Sequence, residues 1–401
     1  MVLFLHNRYR TTGGEERAVD DLLWLVREHL GEPAELLARD SARVGRTRAA
    51  LGLLRGGLEP REVAAAVRLS GARVLHAHNL QPTLGWRALA AARAAGARVV
   101  LHLHQYRLVC ATGVCYTRGA ECTRCHARNT LPGVRLNCRA SVPEALAYGA
   151  SLALWQRRLV AQADAVIVPS AFARERLREL GAPLPWERVH VLAPPLRALA
   201  QAPSGDSQPA LAGPAVSPAV AAPTAADPGT STAGDAGMGA YALVVARLAP
   251  EKGVDVAIHA CRMAGVPLVV AGDGPERAAL VEQAGAGDVS FVGRVDDATL
   301  ARLRAGASIA LVPSRSGESF GLAAAEAMAA GLPLVASRVG ALPELVDAEA
   351  LVAPEDPAAL AQAIERLAGD RLLGERGRER VRVVCAPEAV ARALAAVYGG
   401  A

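Results

Sequence analysis

Short apolar runs alternate with stretches of helical period, and this alternation restricts the fold of the chain more than any other feature. The first runs are Val2 to His6, Val74 to Ala77, Val99 to Leu103, Ala165 to Val168 and Val189 to Leu192, with Ala-, Leu- and Arg-rich segments between them. A run that is apolar at every position has no face to offer water, so it belongs in a parallel sheet covered by helices on both sides. A turn at Gly13-Gly14 and a helix from about Glu16 to Leu30 open this series. A second series follows at Ala242 to Ala246, Leu268 to Ala271, Val289 to Val292, Ile309 to Pro313, Leu334 to Ala336 and Leu351 to Ala353. Between the two, residues 201–239 turn to Ala, Pro, Gly, Ser and Thr without a hydrophobic period, the composition of a disordered linker. The expected architecture is α/β, with two Rossmann-like domains at 1–196 and 241–385 facing across a cleft. A linker at 197–240 joins them, and a last helix lies at 386–401. Aromatic residues are only 3% of the chain, so both cores must be built from Ala, Leu and Val.

A formal charge of +5 and a pI near 9.0 fit an anionic ligand or loose attachment to an acidic membrane surface. Nucleic acid is not indicated, because the basic residues form no polybasic run and few aromatics interleave with them. No apolar stretch reaches the roughly 18 residues that span a bilayer, and Met1 to His6 lack the basic start of a signal peptide. A cytoplasmic protein is expected, at most peripheral on the inner face of the membrane.

Of the 44 Lys and Arg residues, a single one is lysine, Lys252. Where arginine serves everywhere else, one lysine points to a position that needs a compact ammonium. Arg247 closes a strand and Lys252 precedes a helix beginning near Gly253, so two cations and free amide donors meet at a helix N-terminus, a suitable seat for a diphosphate. A second element, Ser314 to Leu322, follows another strand and runs into a helix from Ala323 to Ala330. Glu318 lies in that loop and Glu326 about two turns into the helix, where a carboxylate can accept from ribose hydroxyls. Backbone N–H groups of Ser319, Phe320, Gly321 and Leu322 are placed to meet phosphate or sugar. The turn Gly272-Asp273-Gly274-Pro275 carries little information alone.

Taken in order, Arg247-x4-Lys252-Gly253, Gly272-Asp273-Gly274-Pro275, Phe291-Val292-Gly293, Glu318-x7-Glu326 and Gly340-x2-Pro343-Glu344 resemble the donor half of family-4 glycosyltransferases. The resemblance implies a GT-B fold, a nucleotide-diphosphate sugar as donor substrate, retention at the anomeric carbon and no catalytic divalent metal. It also implies that Arg247 and Lys252 stabilise the leaving diphosphate, Glu318 contacts the transferred sugar, Glu326 holds the ribose, and Val292 and Gly293 abut the base, with Gly272 nearby. The first domain resembles a branch of the same family with Gly-Gly-Glu after strand one and a cysteine-bearing segment after a His-containing strand. In that comparison Gly13 and Gly14 let the backbone approach the donor substrate, a plain tight turn being the competing reading. His104 lies beside the reacting sugars, in a domain that takes a sugar or lipid-linked acceptor. Gln105 replaces the more common Asp after that histidine. His76, His78 and His102 read as packed strand-end residues.

Within an insertion at 105–140, Cys110, Cys122, Cys125 and Cys138 could complete a tetrahedral thiolate site for structural zinc, with Cys115 as an extra thiol and His126 as a substitute ligand. Reduced thiols that simply pack are the alternative. Tyr148, Trp155, Arg157 and Arg158 on the helix from Pro143 to Ala163 suit core packing first, with a membrane-facing or acceptor-facing patch as the alternative. Two other functions stay open on sequence: a sugar-nucleotide epimerase or hydrolase of the same architecture, and a non-catalytic sugar-nucleotide binder. Cell-surface polysaccharide or glycolipid assembly is the setting that family analogy suggests.

Overall fold

The computed structural model describes residues 1–9, 13–200 and 241–400. Its first sheet contains β1 (Val2–Arg8), β2 (Ala34–Asp40), β3 (Val74–Ala77), β4 (Arg98–His102), β7 (Ala165–Val168) and β8 (Val189–Val191), in the order β2-β1-β3-β4-β7-β8. A small antiparallel hairpin, β5 (Tyr116–Thr117) with β6 (Ala120–Glu121), interrupts the crossover from β4 to β7. The second sheet contains β9 (Tyr241–Val245), β10 (Leu268–Ala271), β11 (Val289–Gly293), β12 (Ala307–Val312), β13 (Leu334–Ser337) and β14 (Leu351–Val352), in the order β11-β10-β9-β12-β13-β14. Every pairing in both sheets is parallel.

The apolar runs behave as their patterning requires. In β1, Val2 and Phe4 face the helix Gly14–Glu28, while Leu3 and Leu5 face the helices on the other side of the sheet. Each fully buried side chain of this size contributes about 1.5–3 kcal/mol relative to exposure. One strand escapes the pattern. Ala34–Asp40 forms the outer edge of the first sheet, and its Glu, Arg and Asp residues, tolerated on a half-solvated edge, conceal it from a search for apolar runs.

The linker assignment needs correction at its start. Residues Arg197–Ala200 form a short helix, and Leu196 and Leu199 are buried in the core of the second domain. The remainder of the expected linker, 201–240, lies outside the described residues. The last helix, Pro387–Gly399, leaves the second domain and buries Val390, Leu394, Val397 and Tyr398 against Val2, Phe4 and Val100 of the first. Among the described residues no helix is long and apolar enough to cross a membrane.

The crossing helix should therefore be a structural part of the first domain. Leu394, fully buried, is the direct probe: Leu394→Ala is expected to destabilise the first domain by about 2–5 kcal/mol. Calorimetric melting should show the loss in the first domain's transition, and an unshifted transition would contradict this packing.

Candidate active site

In open α/β sheets, ligands bind beyond the carboxyl ends of the strands, where the strand order reverses. In the second domain that point lies between β9 and β12, and Arg247 and Ser314 follow directly from those two strands. Lys252 Nζ donates to Glu318 Oε1 at 2.6 Å, and Ser314 Oγ donates to the same oxygen at 2.6 Å. Burial alone would raise the Glu318 pKa. The charge and hydrogen bond of Lys252, with Ser314 and Arg247, outweigh it and hold the carboxyl below its ordinary value. Arg247 pairs with Glu251 one turn along, and its side chain remains about half exposed.

Glycines at three loop contacts hold these groups together. A Cβ on Gly253 would lie 2.1 Å from the Pro313 carbonyl oxygen, and one on Gly340 2.2 Å from the Glu318 nitrogen. Gly272, at φ +143°, would place a Cβ 1.8 Å from the Ala246 oxygen. Gly272 thus sets the Asp273 turn against the Arg247 loop, where Leu248 N–H donates to the Asp273 carbonyl at 3.0 Å. Arg315 clamps the arrangement with two bonds to Asp255, at 2.7 and 2.5 Å, and one to the Pro250 carbonyl.

Gly321, at φ +93°, caps the helix Leu322–Ala329, while the Phe320 ring is buried in the core and leaves only its backbone to the cleft. Val292 and Gly293 end β11, with Val292 exposed. Glu326 is held by both domains: Oε2 accepts from Arg304 at 2.5 Å, and Oε1 lies 3.0 Å from Arg17 Nε of the first domain. Arg17 also reaches Asp297 at 3.0 Å.

Further contacts close the cleft. Ser319 Oγ donates to the His104 carbonyl at 2.7 Å, and Ser170 Oγ donates to the Ser319 carbonyl at 2.6 Å. Glu344 accepts from the N–H groups of Ala171 and Phe172 at 3.1 and 2.5 Å, at the start of the helix Ala171–Glu179. A Cβ on Gly14 would lie 3.6 Å from Leu322 Cδ2, across the cleft. Gly13 has an extended backbone at φ −144°, and a Cβ there would make ordinary contact with Glu16 only. Neither the backbone conformation nor crowding within the described residues calls for glycine at 13 or 14.

On the first domain, His104 Nε2 is 2.8 Å from His78 Nδ1. His76 bonds His102 at 3.2 Å and the Tyr398 hydroxyl at 2.7 Å. Two residues apart on adjacent strands, these imidazoles share one sheet face, and that period-two repeat is the signal by which the bond from His78 to His104 could have been found. Burial is the main cause that lowers all four pKa values, His76 to about 3, and the neighbouring imidazoles add to it; for His104, Glu15 partly offsets burial. Near pH 7 the column is neutral. Among the described residues, His76, His78 and His102 are the one group of three ligand atoms within 4.8 Å of one another. Both ring nitrogens of His76 are engaged, one by Tyr398 and one by His102, so this column is held by hydrogen bonds among its own members.

Sequence reasoning also passed over Tyr9 and Arg107. The Tyr9 hydroxyl donates to Glu15 at 2.7 Å, and the Arg107 guanidinium lies over the Tyr9 ring at 4.9 Å. Gln105 turns inward, and Arg107 donates to its side-chain oxygen at 3.3 Å. Cys110, Cys115, Cys122, Cys125 and Cys138 are free thiols around one cavity.

Residues 13–195 match the family described as Glycosyl transferase 4-like domain, and residues 239–370 the one described as Glycosyl transferases group 1. Over 172 residues the chain is 38% identical to the glycogen synthase of Mycobacterium tuberculosis, covering 39% of this chain and 41% of that one. It is 41% identical over 128 residues to the GDP-mannose-dependent α-(1-6)-phosphatidylinositol dimannoside mannosyltransferase of the same species, covering 30% and 33%. These matches span less than half the length of either relative. Sucrose-phosphate synthase from Thermosynechococcus elongatus shares the fold, with a TM-score of 0.64 at 20% identity over 100% of this chain and 98% of that one.

The sign of the Glu318 shift makes the ion pair testable. A depressed carboxyl pKa gives stability that is present above the ordinary carboxylate value of about 4.3 and is lost as pH falls through the folded value. Lys252→Met leaves a buried carboxylate without its main partner. Its melting temperature should fall well below wild type at about pH 8, with the deficit narrowing toward about pH 4.5 as the carboxyl takes a proton. A deficit of equal size at both pH values would rule out the ion pair as its source.

Proposed function

Because the chain belongs to the family-4 glycosyltransferases of the GT-B fold, with one glycosyltransferase domain in each half, we propose that it moves a sugar from a nucleotide-diphosphate sugar to an acceptor hydroxyl with retention at the anomeric carbon. The observation that carries this reading is the convergence of Arg247, Lys252 and Glu318 beyond β9 and β12, against a first-domain wall at His104. The two cations face the leaving diphosphate, and an ammonium now paired with Glu318 can turn to a phosphate oxygen as charge develops there. Electrostatic stabilisation of this kind is the largest contribution available to such a site. With Arg247 and Lys252 supplying positive charge, the reading needs no catalytic metal.

Glu318 contacts the sugar, and Glu326 takes the ribose hydroxyls by exchanging its bond to Arg17. Backbone N–H groups at 319–322 and the open backbone at Gly13 and Gly14 flank the phosphates, and the base lies along Val292 and Gly293. In the step itself, the bond from the anomeric carbon to the diphosphate oxygen breaks while the acceptor oxygen bonds to that carbon on the same face. The acceptor proton passes to the departing phosphate oxygen. The dependence of one relative on GDP-mannose, stated in its name, supports a nucleotide-sugar donor substrate. We place the reaction in cell-surface polysaccharide or glycolipid assembly, on the cytoplasmic side and at most peripheral to the membrane.

A thermal-shift panel of UDP-, GDP-, ADP- and dTDP-sugars tests the site directly, since a ligand that binds only the folded state raises its melting temperature. One nucleotide sugar should stabilise wild type and fail to stabilise Lys252→Ala. With that nucleotide sugar and an acceptor extract, Lys252→Ala and Glu318→Ala should each lower turnover by about 10²–10³-fold, and proton NMR of the product should show the anomeric configuration of the starting sugar. Near-wild-type turnover in both variants would defeat the assignment.

A further inference from the structure

The cavity that borders His104 lies wholly in the first domain and has a volume of about 80 Å³. Its wall has two groups of residues. Tyr9, Glu15, His104 and Arg107 form the polar group, tied together by the Tyr9 to Glu15 hydrogen bond and the guanidinium stacked on Tyr9. Leu53, Trp86, Leu152, Trp155 and Leu159 form the apolar group, where the two indoles lie 6.0 Å apart.

The apolar group offers few partners to a sugar hydroxyl, chiefly Ser151 and the unbonded Gln156 Oε1 and Trp86 Nε1. The Trp155 N–H is already given to the carbonyls of Leu53 and Leu54, at 3.1 and 3.2 Å. Arg158 lies over both indole rings, at 5.5 and 5.2 Å, so neither ring has both faces free for a sugar to stack on. Trp86 Nε1 is buried against Gly56, where a Cβ would come within 2.2 Å of it. A hydroxyl placed against Leu53, Leu152 and Leu159 would lose its water without a replacement partner, whereas each methylene that enters gains about fourfold in affinity.

The outer surface repeats the theme. Leu51 and Leu54 on the helix Arg46–Arg55, and Leu146 and Leu154 on the helix Val142–Val160, are 41–54% exposed, with Arg55, Arg157 and Arg158 exposed beside them. Apolar side chains edged by arginine suit a surface where hydrocarbon meets anionic groups.

We infer that the acceptor is an amphiphile, with its hydroxyl-bearing head at His104 and a hydrocarbon chain along Leu53, Trp86 and Trp155. The inference rests on the reading above that the first domain takes the acceptor. It adds the chemical class of that acceptor, which could be a lipid held in a bilayer or a soluble molecule carrying an alkyl group.

The test compares n-octyl β-D-glucoside with methyl β-D-glucoside, both below the micelle concentration, on the full chain by tryptophan emission and calorimetry. The octyl compound should bind at least about thirtyfold more tightly, which takes the burial of only a few methylenes. Ser151→Phe, which fills the cavity from a buried lining position, should bring the two glucosides within about threefold of each other while the nucleotide-sugar thermal shift persists. Leu159→Glu gives a second disruption, checked by circular dichroism, should the first variant misfold. Equal binding of the two glucosides by wild type overturns the inference. Loss of the nucleotide-sugar shift in wild type would instead count against the function proposed above and leave the glucoside comparison standing. Sedimentation with dioleoylphosphatidylglycerol vesicles separates the two sources. Retention that Leu54→Glu with Leu154→Glu abolishes assigns the amphiphile to the bilayer, and octyl binding without retention assigns it to solution.

Discussion

The bond between Lys252 and Glu318 is the interaction around which the second domain's loops are arranged. A carboxylate so shielded from water would take up a proton unless a cation stood beside it, and Lys252 is the cation that enters the space between Pro313 and Gly340. The close backbone approaches at Gly253 and Gly340 bring three loops together there, so that one ammonium, one hydroxyl and one carboxylate share hydrogen bonds. An arginine would bring a planar fork with five donors into a site already holding the Ser314 hydroxyl. This gives a physical reason for the single lysine of the chain to stand where it does.

The same loop carries the contact between domains. Ser319, one residue beyond Glu318, bonds the His104 carbonyl and accepts from Ser170, so the loop that holds the carboxylate also sets the height of the first domain's wall. Glu344 serves both sides too, since it lies next to the Gly340 turn and caps a helix of the first domain. Arg17 and Glu326 add an ion pair across the cleft. Closure thus relies on a few polar bonds at the site itself, which a nucleotide sugar entering the cleft could exchange one for one.

Much of this was legible in the sequence, for particular reasons. Strands buried on both faces announce themselves, and eleven runs read as strands all became strands of the two sheets. Ala34–Asp40 did not, because an edge strand needs an apolar partner on one side only and keeps its charges on the other. Lys252, Glu318 and Glu326 could be found because a loop between a strand and a helix fixes where a side chain must lie. Their present partners could not be read, since Arg17 is about three hundred residues from Glu326 and no local spacing encodes that contact. His78 reads as a packed strand-end residue and is buried, but that reading misses its bond to His104: two histidines two apart on each of two neighbouring strands must share a face, and that face leads to His104.

The two walls of the cleft differ in charge, and the difference bears on where the acceptor proton goes. The second domain gathers Arg247 and Lys252, which favour negative charge on a departing group. The first presents a column of imidazoles whose basicity burial lowers, for His104 with a partial offset from the nearby Glu15. Early deprotonation would place an alkoxide near the Glu15 carboxylate, an arrangement that like charge opposes. On the proposed function, the strongest base in reach at the moment of transfer is therefore the oxygen that the anomeric carbon has just released. On the same proposal, His104, held by His78, orients the hydroxyl toward that oxygen and leaves the proton to it.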